Sequence, residues 1–157
     1  MSESKTIAAL KPTTVEVRVP SRMGFEKVAM STAASVAKLM GFRDDRIEDL
    51  KTALAEACIN AIEHGNRLNE KLSVGVVLSA GVDALEVKVM DDGKGMKTQP
   101  GKQSKPDIDR KMRGEEEPRG LGMFLIQSLV DEAEWVAGDD GNSSYVRLVI
   151  RLDKDAK

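Results

Sequence analysis

Three short stretches of this sequence hold residue types whose chemistry and spacing suit the handling of a phosphate-bearing ligand. The first is Glu56-Ala57-Cys58-Ile59-Asn60-Ala61-Ile62-Glu63-His64-Gly65. Glu56 and Asn60 are four residues apart, so on a helix they project from one side, one turn from each other. A carboxamide oxygen is a hard ligand suited to magnesium, and a carboxylate one turn away can accept a proton from a hydroxyl. The second stretch is Val89-Met90-Asp91-Asp92-Gly93-Lys94-Gly95-Met96. Alternating glycines after a strand bring backbone close to a ligand where a side chain would collide. Asp91, fixed at the strand end, can accept a hydrogen bond from an exocyclic amine such as that of adenine. The third is Arg119-Gly120-Leu121-Gly122-Met123, directly before an apolar run. Glycines at a helix start expose N–H groups that can hold a phosphate, helped by the helix dipole.

Taken singly, each stretch has a commoner explanation. A Glu/Asn pair is more often an ordinary solvated helix face, an Asp-Gly pair serves many plain turns, and glycines punctuate loop-to-helix junctions. The third stretch is neither a Walker loop, since no Gly-Lys-Ser/Thr follows, nor a dinucleotide fingerprint, since no strand leads directly into it. What carries weight is that all three occur in one short chain, in this order.

The elements that must position them read as follows. Residues 14–19 alternate apolar and polar, the period of a half-buried strand, and Pro20 stops it. Ser21 is the expected N-cap of a helix reaching about Gly41, with Phe25, Val28, Ala29, Val36 and Leu39 available for its inner face. A second helix is expected from about Asp44 to His64, with Ile47, Leu50, Leu54, Ala57 and Ala61 as its apolar stripe and Glu56 and Asn60 roughly opposite. Gly65 is expected to close it as a C-terminal glycine. Strands at 72–79 and 84–90 flank the turn Ala80-Gly81-Val82-Asp83. Residues 97–118 are charged and rich in Pro and Gly, the composition of a mobile loop kept for a function. Gly120 then opens a helix from Leu121 to Val130, strands near 132–137 and 144–152 flank a turn at 138–142, and residues 153–157 form a frayed tail. Hairpins adjacent in sequence imply a mostly antiparallel sheet with helices on one face. The expected architecture is a two-layer α+β sandwich in a single domain over 1–157, with its core at about 14–152.

Composition narrows the classes. A net charge of −2 and only 3% aromatic residues offer neither the basic footprint nor the stacking platform of a nucleic-acid binder, so no direct nucleic-acid contact is expected. The start of the chain lacks the charged-then-apolar pattern of a secretory leader, and no apolar run approaches the ~20 residues that span a bilayer. The chain has one Cys and one His, too few for an internal disulfide or a structural zinc site. A soluble, cytoplasmic protein with no membrane association is expected. Cys58 is assigned burial and no chemistry, and His64 is assigned a helix-end role. The eight methionines are read as core filler or partner-contact surface.

Together, Glu-Ala-Cys-x-Asn-Ala-x-x-His-Gly, Asp-Asp-Gly-x-Gly-Met and Arg-Gly-Leu-Gly-Met-Phe-Leu-Ile resemble the motifs of the Bergerat ATP-binding fold. That fold is shared by DNA gyrase, the heat-shock chaperone ATPases, sensor histidine kinases and MutL (the GHKL superfamily). Within it the chain resembles the small anti-sigma-factor serine/threonine kinases most closely, over about residues 15–152. The resemblance implies that Asn60 holds Mg2+ and that Glu56 is the general base. It places Asp91 on the adenine amine, with Gly93 and Gly95 shaping that pocket. Gly120 and Gly122 fall on the phosphate-contacting glycines, with Leu121 and Met123 in the same nucleotide-binding motif. Arg119 lies either near the phosphates or on the partner surface. Residues 97–118 correspond to a flexible ATP lid. Ser144 stands where the family often has a glycine-threonine pair whose hydroxyl supports the aspartate. The activity implied is phosphorylation, with ATP and Mg2+, of a STAS-type anti-anti-sigma factor, alternating with capture of a sigma factor. A homodimer is implied as well, with the first helix and the N-terminal strand as candidate surface. Two other readings stand beside it: a nucleotide-gated binder that transfers nothing, and a kinase of the same family with targets other than sigma-factor regulators. Glu56 separates the first of these from a kinase, because a pure binder needs no base.

Overall fold

The computed structural model describes residues 13–92, 118–138 and 144–152, and the backbone alone of 118–121. The elements are β1 (Thr13–Pro20), α1 (Glu26–Met40), α2 (Asp44–Asn60), a π-helical turn (Ala61–Gly65), β2 (Ser73–Ala80), β3 (Ala84–Asp91), α3 (Pro118–Leu129), β4 (Glu132–Val136) and β5 (Tyr145–Arg151). The five strands form one sheet in the order β1-β2-β3-β5-β4, and every neighbouring pair is antiparallel. The expected α+β sandwich is therefore the observed architecture.

Period-two alternation decides which face of the sheet is buried. One row aligns Val17, Val76, Val89, Val146 and Trp135 across all five strands, and a second aligns Val15, Leu78, Val87, Leu148 and Ala133. These rows face the helices, where Leu50, Leu54, Ile62 and Ile126 are wholly buried. Truncating one such Leu to Ala costs about 2–5 kcal/mol. The opposite face carries polar pairs: Arg147 donates to Glu86 at 2.5 Å and to Glu132 at 3.3 Å, and the Lys88 ammonium lies 5.3 Å from the Tyr145 ring centre.

Several expectations need correction. Helix α1 begins at Glu26, not after Ser21. Ser21 is fully buried, its N–H donates to the Leu72 carbonyl and its hydroxyl accepts from Asn66, so it fastens the loop after β1. At the helix start, Glu26 Oε1 instead accepts the Gly24 N–H at 2.7 Å. The inner face of α1 is Ala29, Ala33, Ala37 and Met40, whereas Phe25, Val28 and Leu39 are exposed. An alanine stripe at four-residue spacing lets α1 approach α2 closely, and that packing wins over the larger apolar side chains. Gly41, with φ +97°, caps the helix as expected.

The α-helical part of α2 stops at Asn60 and a π turn continues to Gly65, closed by the Asn66 N–H on the Ala61 carbonyl at 2.8 Å. Gly65 is not a left-handed cap: the positive φ values after α2 fall on Arg67 (+53°) and Leu68 (+60°). Helix α3 starts at Pro118, so Gly120 and Gly122 lie within its first turns rather than before it. Proline at a helix start loses no hydrogen bond, because that N–H has no partner there anyway. Gly93, Gly95, residues 97–117, the turn at 139–143 and the tail at 153–157 lie outside the described residues.

Candidate functional site

The candidate side chains converge where α2 passes the ends of β3 and β5. The register aligns Val19, Val74 and Asp91 across the first three strands. Asp91 thus occupies a helix-facing position in a row otherwise filled by valines, and it is only 4% exposed. Burying a carboxylate costs free energy unless it is paired or bound, so an acidic residue in this row is a candidate site residue. Gly65 makes its placement possible. A Cβ on Gly65 would sit 2.5 Å from Asp91 Oδ2 and 2.6 Å from its Cγ. The glycine is there for close approach.

Glu56 and Asn60 project from α2 toward α3, as their spacing requires. A Cβ on Gly122 would lie 2.7 Å from Glu56 Oε1 and 3.9 Å from Asn60 Nδ2. The early backbone of α3 therefore lies directly on this pair. The far end of α3 is anchored by Arg46 at the start of α2, which donates to the Leu129 carbonyl at 3.1 Å and to Asp131 at 3.1 Å. Buried Ile126 seals the middle of the helix.

Between these parts opens a cleft with about 400 Å³ of empty space, part of it open to solvent. Ala57 and Asn60 of α2 and Ala61 of the π turn form one wall, Asp91 lines its inner end, and Met123, Trp135 and Val146 give apolar walls. Ser144 and Tyr145 also line it. Ser144 is joined to Asp91 through backbone, since the Asp91 N–H donates to its carbonyl at 3.2 Å. Its hydroxyl accepts the Gly138 N–H at 3.2 Å. Cys58 is wholly buried on α2. Burial, with a smaller contribution from the Glu26 charge, pushes its thiol up to about 12, so it is no nucleophile near neutral pH. The structure thus brings Asn60, Asp91, Met123 and Ser144 into one cleft, with Glu56 and Gly122 against each other at its edge. Gly93 and Gly95 and the side chains of Arg119 and Leu121 lie outside the described residues, and the backbone of Gly120 lies in the first turn of α3.

Sequence reasoning missed two contributors. Trp135 reaches the cleft because of the register between β4 and β5, which no local pattern reveals. Asn66 is buried at 2% exposure and binds three separate segments. Its only sequence signal is its place directly after the His64-Gly65 pair.

Comparison with known proteins gives this geometry a family. The family model described as "Histidine kinase-like ATPase domain" matches residues 20–149. The chain belongs to that family. Among curated relatives, the serine-protein kinase RsbW of Halalkalibacterium halodurans is 34% identical over 125 residues, covering 79% of this chain and 76% of the relative. The RsbW of Bacillus subtilis is 32% identical, covering 75% and 74%. A crystal structure of the RsbU and RsbW domains of a Mycobacterium tuberculosis protein superposes with a TM-score of 0.64 at 18% identity. The match covers 92% of this chain and 34% of that longer one, and it establishes the shared ATPase fold.

Proposed function

We propose that this protein is an ATP-dependent serine/threonine protein kinase that regulates a sigma factor by switching partners. The observation that carries the proposal is the single cleft that joins an inward-facing Asp91 to the Glu56/Asn60 pair beneath α3. Membership of the ATPase family and likeness to curated serine-protein kinases support it.

In this reading an adenine nucleotide lies along the cleft with its phosphates toward α3. At the inner end, the Asp91 carboxylate accepts the adenine amine while Met123, Trp135 and Val146 enclose the apolar ring. Toward the α3 end, the backbone N–H of Gly120 lies in the first turn of a helix, where phosphate is favoured. No group of three or more acidic, His or Cys side chains among the described residues could hold a metal by itself. Magnesium typically binds few protein groups and takes the rest of its ligands from phosphates and water. Asn60 would supply the protein ligand, and the metal would neutralise charge on the transferring phosphoryl group.

The chemistry then needs one proton acceptor. Glu56 takes the proton from the serine or threonine hydroxyl of the protein substrate as that oxygen bonds to the γ-phosphorus. The bond from the γ-phosphorus to the bridging oxygen breaks, and ADP leaves with that oxygen's electron pair. Phosphoryl transfer depends mainly on positioning and charge neutralisation, so one carboxylate and one metal form a sufficient set. The substrate is a STAS-type anti-anti-sigma factor, and the alternative partner is a sigma factor held in its place. The protein acts in the cytoplasm as a homodimer through the face of α1 and β1, where Phe25, Val28 and Leu39 are exposed.

The test is transfer from γ-labelled ATP, with magnesium, to candidate antagonist proteins of the same genome, followed by identification of the labelled amino acid. Label on serine or threonine supports the proposal. ATP binding without transfer to any candidate points to a nucleotide-gated binder, and absence of ATP binding overturns both.

A further inference from the structure

We infer that Asn66 is a positioning residue for nucleotide recognition, its buried carboxamide fixing the peptide group that follows Asp91 and so aiming the Asp91 carboxylate into the cleft. The inference rests on the reading of Asp91 as the contact for the adenine amine. Three bonds radiate from the Asn66 side chain. Nδ2 donates to the Ser21 hydroxyl at 2.5 Å and to the Ser73 carbonyl at 2.9 Å. Oδ1 accepts the Asp92 N–H at 2.9 Å. The carboxamide uses both donors and its acceptor in a place that is 2% exposed, so no water can substitute for it cheaply.

The Asp92 N–H belongs to the peptide unit on the C-terminal side of Asp91. The unit on the N-terminal side is held by the Asp91 N–H on the Ser144 carbonyl. Both peptide planes flanking Asp91 are therefore pinned, which fixes its Cα–Cβ direction. The pleat then sends Asp91 to the helix-facing side and Asp92 to the other. Asp92 Oδ2 accepts the Ser73 N–H at 3.2 Å and hydroxyl at 2.9 Å, with the Arg18 guanidinium 3.4 Å away. Asn66 adjoins Gly65, whose missing side chain makes room for the carboxylate. Two adjacent residues thus divide the work, one making room and the other setting direction. The left-handed backbone at Arg67 and Leu68 follows at once. Such backbone persists only where surrounding bonds over-determine it, which the Asn66 bonds and the Leu68 N–H on the Ile62 carbonyl at 2.7 Å provide.

A mere fastening role would lower stability without changing which base is bound, and that difference is the test. In the full chain, Asn66→Ala should weaken ATP binding on the order of tenfold, the scale of one lost hydrogen bond to a charged group, while weak GTP binding stays as it was. Ser21→Ala removes one Asn66 partner but leaves the bond to Asp92, so it should lower thermal stability and leave the ATP-to-GTP ratio at the wild-type value. An unchanged ratio in Asn66→Ala, alongside a similar stability loss, overturns the inference. Should Asn66→Ala fail to fold, residue-resolved amide exchange on the wild type decides. Protection of the Asp92 amide comparable to that of Asp91 supports the inference, and exchange as fast as an open loop overturns it. Asp91→Asn separates the two layers. If that variant keeps the preference for ATP, the adenine reading itself fails; if it loses the preference while Asn66→Ala keeps it, only the role of Asn66 fails.

Discussion

Replacing Gly65 with Ala tests the innermost part of the site with the smallest possible change. The added Cβ would lie 2.5 Å from Asp91 Oδ2, 2.6 Å from Cγ and 2.8 Å from Cβ. Rotating the carboxylate relieves the first contact but not the last, because Cβ moves only with the strand. Either the end of β3 or the π turn must shift, and overpacking of this kind costs about 1–3 kcal/mol. For a domain of this size that corresponds to a melting temperature lower by roughly 2–12 °C. On the proposed reading of Asp91, the displaced carboxylate also loses its aim at the adenine amine. A hydrogen bond to a charged group is worth about 1.5–3 kcal/mol, so ATP should bind roughly 10- to 150-fold more weakly. Trp135 is the chain's single tryptophan and lines the cleft, so its fluorescence gives a direct titration. GTP offers a carbonyl where ATP offers the amine, so its weak binding should change little. ATP affinity within twofold of wild type, at an unshifted melting temperature, would refute the argument that Gly65 exists to admit Asp91.

Two further outcomes follow from the same geometry. Gly122→Ala places a Cβ 2.7 Å from Glu56 Oε1, the far end of a flexible side chain, so the protein should stay folded and bind ATP while the phosphotransfer rate falls on the order of tenfold or more; a rate equal to wild type in single-turnover assays would contradict the contact. Cys58 gives a pH signature: its thiol is raised from 9.0 to about 12 in the folded protein by burial, so it stays protonated there while the unfolded chain ionises. The stabilisation is whole below pH 9 and is lost as pH rises toward 12, amounting to roughly 2 kcal/mol between about pH 8 and about pH 10.5. Urea unfolding of wild type and Cys58→Ala should converge or cross by that amount over the interval, and parallel curves would refute it.

Much of the fold could be read from local patterns. The alternation in β1, the hairpin around Gly81 and the four-residue spacing of Glu56 and Asn60 are local signals, and the structure repeats them. The inner face of α1 was not legible, because two apolar stripes compete on that helix and only contact with α2 selects the alanines. Ser21 looked like a helix cap because its type and place suit one, yet its partner Asn66 lies 45 residues away. At Gly65 the local pattern points to a helix cap, whereas the demand on it comes from Asp91 on another element and not from its own backbone angles. Trp135 entered the cleft unannounced, since its position depends on the pairing of β4 with β5. The candidate site residues stand out as motifs, while the residues packed around them are defined by tertiary contacts.

The most direct test of the central claim is single-turnover transfer from ATP to the antagonist protein by Glu56→Gln beside wild type, with ATP affinity measured for both. The isosteric amide keeps the shape against Gly122 but cannot take a proton. ATP affinity should be unchanged while transfer slows by about 10²- to 10⁴-fold. Transfer at the wild-type rate by Glu56→Gln would contradict the assignment of Glu56 as the base and, with it, the mechanism built on this cleft.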